Sequence, residues 1–203
     1  MGDREVGTNC LERLTRLERL VCEWGASQSA TVATADIVVN DAFAELCRLP
    51  DCRAYGLSAG CPPHVGGPSE MRKLLAQYQR AVVMKIDVPT DILLGEERFS
   101  VYRVLHEIVA AAEQAAVGKG FSGARAFAGG SCKSIFCADP PDCSVLAGGP
   151  CRHPDRARPS MSGYGIDVSR LMNAAGWQMS WITRNTSSEE VPMGALVGMV
   201  LVG

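Results

Sequence analysis

Residues 81–128 read AVVMKIDVPTDILLGEERFSVYRVLHEIVAAAEQAAVGKGFSGARAFA, a strand, a long helix and a second strand in succession. Ala81 to Val88 is rich in β-branched residues and closed by Pro89, which marks a strand. From Phe99 to Val117 the apolar residues Val101, Val104, Leu105, Ile108, Ala112 and Ala115 recur at helical spacing, and Gly118 or Gly120 stops the helix. Gly123 to Ala128 forms a short strand, after which Gly129-Gly130 opens a loop.

Working outward, Leu11, Leu14, Leu17 and Val21 predict a helix from Cys10 to Trp24, with Asn9 as its cap and Glu12 three residues on. Thr31 to Val39 is β-branched and reads as a strand. Asp41 caps a short helix over Ala42 to Cys47, and Pro68 opens a helix to Gln79 whose apolar face is Met71, Leu74, Leu75 and Tyr78. Downstream, Asp167 caps a helix over Val168 to Ala175, closed by Gly176. Trp177, Met179 and Trp181 alternate as in a strand, and Val191 to Val202 reads as a final buried strand. No repeat of solenoid type is present. The pattern predicts one α/β or α+β domain with a mixed sheet, flanking helices and two cysteine-rich loops. An N-terminal helical segment over 1–30 precedes a cysteine-rich domain over 31–203.

Composition narrows the function classes. A chain of 203 residues with 47% hydrophobic content buries a core without disulfide support. A net charge of −2 argues against a nucleic-acid binder. The charged N-terminus is unlike a signal peptide, and the longest apolar run, near Met193 to Val202, is shorter than the about 20 residues that span a bilayer. The expected compartment is therefore the reducing cytoplasm. There, grouped cysteines bind metal or do chemistry more often than they pair.

Seven of the nine cysteines fall in two groups. Cys47-x4-Cys52-x8-Cys61 runs into Pro62-Pro63, and Cys132-x4-Cys137-x5-Cys143-x7-Cys151 follows after seventy cysteine-free residues. Four thiolates within twenty residues match the ligand count and softness of an iron–sulfur cluster or a structural zinc. Zinc knuckles favour Cys-x2-Cys, which is absent here, so the wide spacing ranks an iron–sulfur cluster, of four-iron type, above zinc. Gly129-Gly130 and Gly148-Gly149 allow backbone N–H groups close to the sulfurs. The basic run Arg152, His153, Arg156 and Arg158 could offset cluster charge or dock an acidic partner; singly, each arginine reads more simply as solvated and balanced by Asp155 and Asp167.

The trio Cys47, Cys52 and Cys61 admits three readings. It completes a site with His64, it shares a site with the other group, or it holds a cluster with one open iron, which would make the protein an enzyme. His64 reads more simply as a polar loop residue. Cys22, Trp24, Trp177 and Trp181 read as core, Cys10 lies on the first helix, and His106 reads as exposed. No Gly-x-Gly-x-x-Gly, P-loop, Cys-x3-Cys-x2-Cys or Ser/His/Asp set occurs, so no reaction is assigned.

The stretches CRLPDCRAYGLSAGCPP (47–63), CKSIFC (132–137), Cys143 and GGPCRHPDRARPSMSGYGIDV (148–168) resemble an uncharacterised family of predicted metal-binding proteins, domain of unknown function 2284. The resemblance covers most of the chain after about Thr31. It implies metal binding, of iron–sulfur type, with the same seven cysteines as ligands and no established reaction. Relatives carry an acidic residue where this chain has Ser162. The expectation is an electron-transfer or redox-accessory protein with a redox partner; a cluster enzyme and a zinc-stabilised interaction domain are the alternatives. The sequence leaves oligomeric state open.

Overall fold

The computed structural model describes residues 2–48, 52–139 and 142–203, with only the backbone of residues 2–8. The parts of the two expected loops at 49–51 and 140–141 lie outside the described residues. In chain order the elements are α1 (Gly2–Glu23), β1 (Gln28–Ala33), α2 (Asp41–Glu45), α3 (Gly67–Leu75), β2 (Arg80–Pro89), α4 (Thr90–Leu94), α5 (Arg98–Gly118), β3 (Arg125–Ala128), α6 (Cys132–Phe136), α7 (Val168–Ala174) and β4 (Met193–Val202).

The four strands form one sheet in the order β1-β2-β4-β3, and every pair is antiparallel. The expected single domain is of the α+β kind, and the expected mixed sheet is corrected to one that is antiparallel throughout. The sole parallel pairing among the described residues is an isolated bridge between Ala128 and Ser160. The chain reverses at each pairing, so the long connections carry the helices and cysteine segments to the faces and one end of the sheet.

Both faces of the sheet are covered. On β2, Val82, Met84, Ile86 and Val88 face one layer, while Ala81 and Val83 face the other, as the two-residue period of a strand requires. The first layer is α1, through Leu14, Leu17 and Val21, with α5, through Leu105, Ile108, Val109 and Ala112. The second is α3, α7 and the Met161–Ile166 segment, packed on Val197, Met199 and Leu201 of β4. α5 crosses β4 at Gly198, where an added Cβ would stand 2.4 Å from Val109 Cγ2. The bare backbone there lets the helix lie against the sheet.

Several expectations change. α1 begins at Gly2, so Asn9 lies within the helix rather than capping it. Asn40, not Asp41, caps α2, its side chain accepting from Ala42 N–H at 3.0 Å; Asp41 instead pairs with Arg72 at 2.7 Å. Asp167 does cap α7, accepting from the Arg170 N–H at 3.0 Å. β1 ends at Ala33, and a 3-10 turn, Thr34–Asp36, replaces the rest of the expected strand. Residues 177–181 are irregular. Their alternation reflects Trp177 and Met179 packing on the second layer while Trp181 stays 59% exposed. Trp24 and Cys22 are exposed, and so is Val104 at the edge of the α5 apolar face. Cys10 is partly buried against the first layer.

Candidate metal centre

The two cysteine segments meet at the end of β3. Immediately beyond Ala128 the chain enters α6, whose first residue is Cys132 and whose C-cap is Cys137. The returning segment 157–161 then runs beside Ala128: Ala128 N–H donates to Pro159 O, and Met161 N–H donates to Ala128 O, both at 3.0 Å. The Ser160 N–H donates to Gly60 O at 2.9 Å, which joins the first segment to the second. Cysteines separated by seventy residues in sequence are thus placed side by side.

Cys132, Cys137, Cys143 and Cys151 line one small cavity together with Ser58 of the first segment. Burial pushes the Cys132 thiol up to about 11; the Ser58 hydroxyl pulls it down, while negative charge on Cys61, Cys151 and Cys143 adds to the rise. Burial would also raise Cys143, but N–H groups of Ala59, Leu146 and Val145 and the charge of Arg152 hold it below its ordinary value. The His153 N–H donates to Cys151 Sγ at 3.4 Å.

Cys47, Cys52 and Cys61 form the second gathering. Burial, then negative charge on Cys52 and Cys61, push the Cys47 thiol up to about 11, and Cys52 hydrogen-bonds it. Cys61 is the hinge of the arrangement, since its charge is felt at both Cys47 and Cys132. His64 is exposed on the turn that follows Cys61.

The donor set fits a metal group held by thiolates. All nine cysteines are free. Burial keeps the Cys47 and Cys132 thiols protonated on their own, and a bound cation deprotonates coordinating thiols outright. Two serine hydroxyls cross between the segments: Ser131 accepts from Cys61 Sγ at 3.3 Å, and Ser58 lies against Cys132. Ser58 is 1% exposed, and its hydroxyl completes no hydrogen bond of good geometry. A buried hydroxyl without a proper acceptor, beside the Cys132 thiol, is a donor that an anionic sulfur would satisfy. Among the described residues, no three His, Cys, Asp or Glu side chains are gathered so as to hold a single metal ion.

The second segment is held by a stripe of polar residues on α5 that the sequence reading passed over. Arg103 donates to Ile135 O at 2.6 Å. His106, expected to be exposed, is fully buried, with Nε2–H donating to Gly129 O at 3.2 Å and Nδ1 accepting from Arg158 N–H at 3.3 Å. Burial drives the imidazole down to about 4, with the Gly129 bond opposing and the Arg158 charge adding. Glu107 pairs with Arg156 at 3.3 Å. Glu113 pairs with Arg158 at 2.6 Å and accepts from Ala126 N–H at 2.7 Å. These residues share one helix face by their three- and four-residue spacing. That spacing was visible, but a polar helix face signals water unless something covers it. Arg158 is therefore a buried brace rather than a solvated charge. Arg156 also pairs with Asp155, Arg152 donates to Asp142 O, and Asp167 serves α7 instead.

A separate, larger cavity of about 390 Å³ opens against Cys47 and Cys52. Phe43 and Leu46 of the α2 region, Tyr102 of α5, Met179, Trp181 and the Ala195–Val197 stretch of β4 surround it, and Ser162 reaches its wall.

An α+β scaffold that gathers seven thiols at one end defines a thiol-rich protein of metal-binding type. Residues 30–202 match the family model described as "Predicted metal-binding protein (DUF2284)", and the chain belongs to that family. No curated protein and no solved structure matches it. Among the described residues no helix is long and apolar enough to cross a membrane.

Proposed function

We propose that the protein is an iron–sulfur redox protein, with four-iron clusters favoured over zinc. The observation that carries this reading is the convergence of Cys132, Cys137, Cys143 and Cys151 on one cavity, with Cys61 and two serine hydroxyls against it. A tetrahedral zinc draws its sulfurs to within about 2.3 Å of one point. The wide, irregular spacing of the four cysteines, with no Cys-x2-Cys, is what favours a polynuclear group here. The bound cluster would supply one-electron chemistry, and the N–H and hydroxyl donors around the sulfurs would set its potential. Nine free thiols suit the reducing cytoplasm. Exposed Val145 and Leu146, next to Cys143 and Arg152, offer a partner protein an apolar and cationic contact close to the four-thiol site.

A second reading has its own observation. Cys47 and Cys52 line the 390 Å³ cavity and Cys61 lies within electrostatic reach of Cys47, so a metal group held by these three thiolates would present one position to a small molecule. On this reading the four-thiol site passes electrons and the three-thiol site meets substrate.

Iron, zinc and acid-labile sulfide are measured on protein purified without oxygen, together with the absorption spectrum. Equal iron and sulfide in a brown protein is the expected result. Stoichiometric zinc without sulfide would replace the redox reading with that of a zinc-stabilised domain.

A further inference from the structure

We infer that the turn at residues 58–61 couples the two thiol groups, so that engaging Cys61 in metal binding steadies the wall of the four-thiol site and slows loss of metal from it. This rests on the proposed reading in which both groups hold metal. Each group is served by a buried hydroxyl from the other segment. Ser58 of the first segment lines the four-thiol cavity beside Cys132. Ser131 of the second segment accepts from the Cys61 thiol at 3.3 Å.

The turn is tight: Cys61 N–H donates to Ser58 O at 3.1 Å, the bond that closes a β-turn. Its inner residues lie against the other group. The Ala59 N–H bonds Cys143, and an added Cβ at Gly60 would stand 3.5 Å from Cys132 Sγ. Gly60 O also accepts from Ser160 N–H at 2.9 Å. Cys61 ends the turn, 5% exposed, as a member of the three-thiol group. Four consecutive residues thus carry a hydroxyl beside Cys132, a donor to Cys143 and a thiol of the opposite group. Donors aimed at an anionic sulfur stabilise it. When Cys61 binds metal its thiol proton leaves to solvent, and Ser131 turns from acceptor to donor. The anchored Cys61 then fixes the turn and keeps Ser58 and Ala59 on Cys132 and Cys143. Unligated, Cys61 is a neutral thiol held at Ser131 by one weak S–H bond. Linkage makes the effect mutual, since two bound sites change each other's affinity by the same factor.

The test uses the full chain, prepared without oxygen and with its metal and sulfide measured. It is mixed with excess ferrozine to follow ferrous iron, or with 4-(2-pyridylazo)resorcinol where the metal is zinc. The release phase that Cys132→Ser abolishes belongs to the four-thiol group. Cys47→Ser, and Cys52→Ser as a second variant outside the turn, should each speed that phase about five-fold or more while its starting metal stays in place. Ser58→Ala should speed it by a similar factor in the wild-type background. In the Cys47→Ser background, where the turn is already loosened, Ser58→Ala should add about two-fold at most. Cys10→Ser should change nothing. An unchanged or slower phase in both trio variants, or the same effect of Ser58→Ala in both backgrounds, would overturn the coupling. So would complete loss of four-thiol metal in both trio variants, which would mean one shared centre, or a protein that holds metal in only one group. Zinc without sulfide would defeat the redox reading while the release rates still decide the coupling, and additive rates from an iron–sulfur protein would do the reverse.

Discussion

The two thiol groups adjoin at the end of β3 and differ in what surrounds them. The four-thiol group is walled by protein: α6 begins at its first cysteine, Ser58 closes it from the other segment, and the α5 stripe clamps the chain on both sides. The three-thiol group has the same softness, but two of its members, Cys47 and Cys52, line a larger, mostly apolar cavity. On the proposed reading, equal chemistry in unequal enclosures would separate electron storage from contact with a small molecule. The lesson is that ligand type alone does not assign a role; access does.

The largest expected effect tests whether the groups are separate. Cys132→Ser should empty the four-thiol site and lose its iron and sulfide, while Cys47→Ser should lose metal only at the three-thiol site. Cys10→Ser should retain full content. If either ligand variant emptied both sites, the seven thiols would form one shared centre through Cys61 rather than two.

Next in size is the clamp. The Arg158–Glu113 pair is mostly buried, with side chains 9% and 22% exposed. Removing one partner leaves the other uncompensated, so Arg158→Ala should cost about 3–5 kcal/mol in denaturant unfolding. An unchanged midpoint would show that the second segment does not depend on α5.

His106 supplies a pH signature for the same clamp. Its folded pKa lies at about 4 against an ordinary 6.5, so the folded state disfavours the proton. The stability it contributes is complete above pH 6.5. As pH falls from there toward 4, the unfolded chain takes up the proton first and that stability is lost. The loss is on the order of 3 kcal/mol. His106→Gln should flatten that part of the profile when its unfolding is compared with wild type across the range, since effects of the thiols are common to both. Parallel profiles would mean the imidazole is not buried.

The smallest effect sharpens the contrast between the sites. Ser58→Ala removes a donor aimed at Cys132, and loss of a hydrogen bond to a cluster sulfur disfavours the more negative reduced state. The reduction potential of the four-thiol site should fall in anaerobic redox titration, and that of the three-thiol site should stay. A shift in the second alone would reverse the assignment of Ser58.

The periodic elements were legible in sequence. β2, β4, α5 and α7 lie within a few residues of where hydrophobic spacing and caps put them, because strands and helices buried on a face must repeat at two or 3.6 residues. The 177–181 alternation misled, since Trp and Met also alternate in an irregular chain draped over a core. α6 escaped notice because five residues, Cys132–Phe136, are too few to show a period. His106 and Trp181 were misplaced for one reason: whether a side chain on a helix or loop is covered depends on which distant segment comes to rest on it.

By itself, the sequence determined the seven thiols, their grouping and the layered α+β elements, since composition and local spacing carry those. Only the tertiary structure decided that the sheet is antiparallel throughout, that the two groups adjoin at the end of β3, and that one is enclosed while the other faces a cavity. Those outcomes come from contacts such as Ser160 with Gly60 and Glu113 with Arg158, between residues whose separation along the chain leaves no local signature.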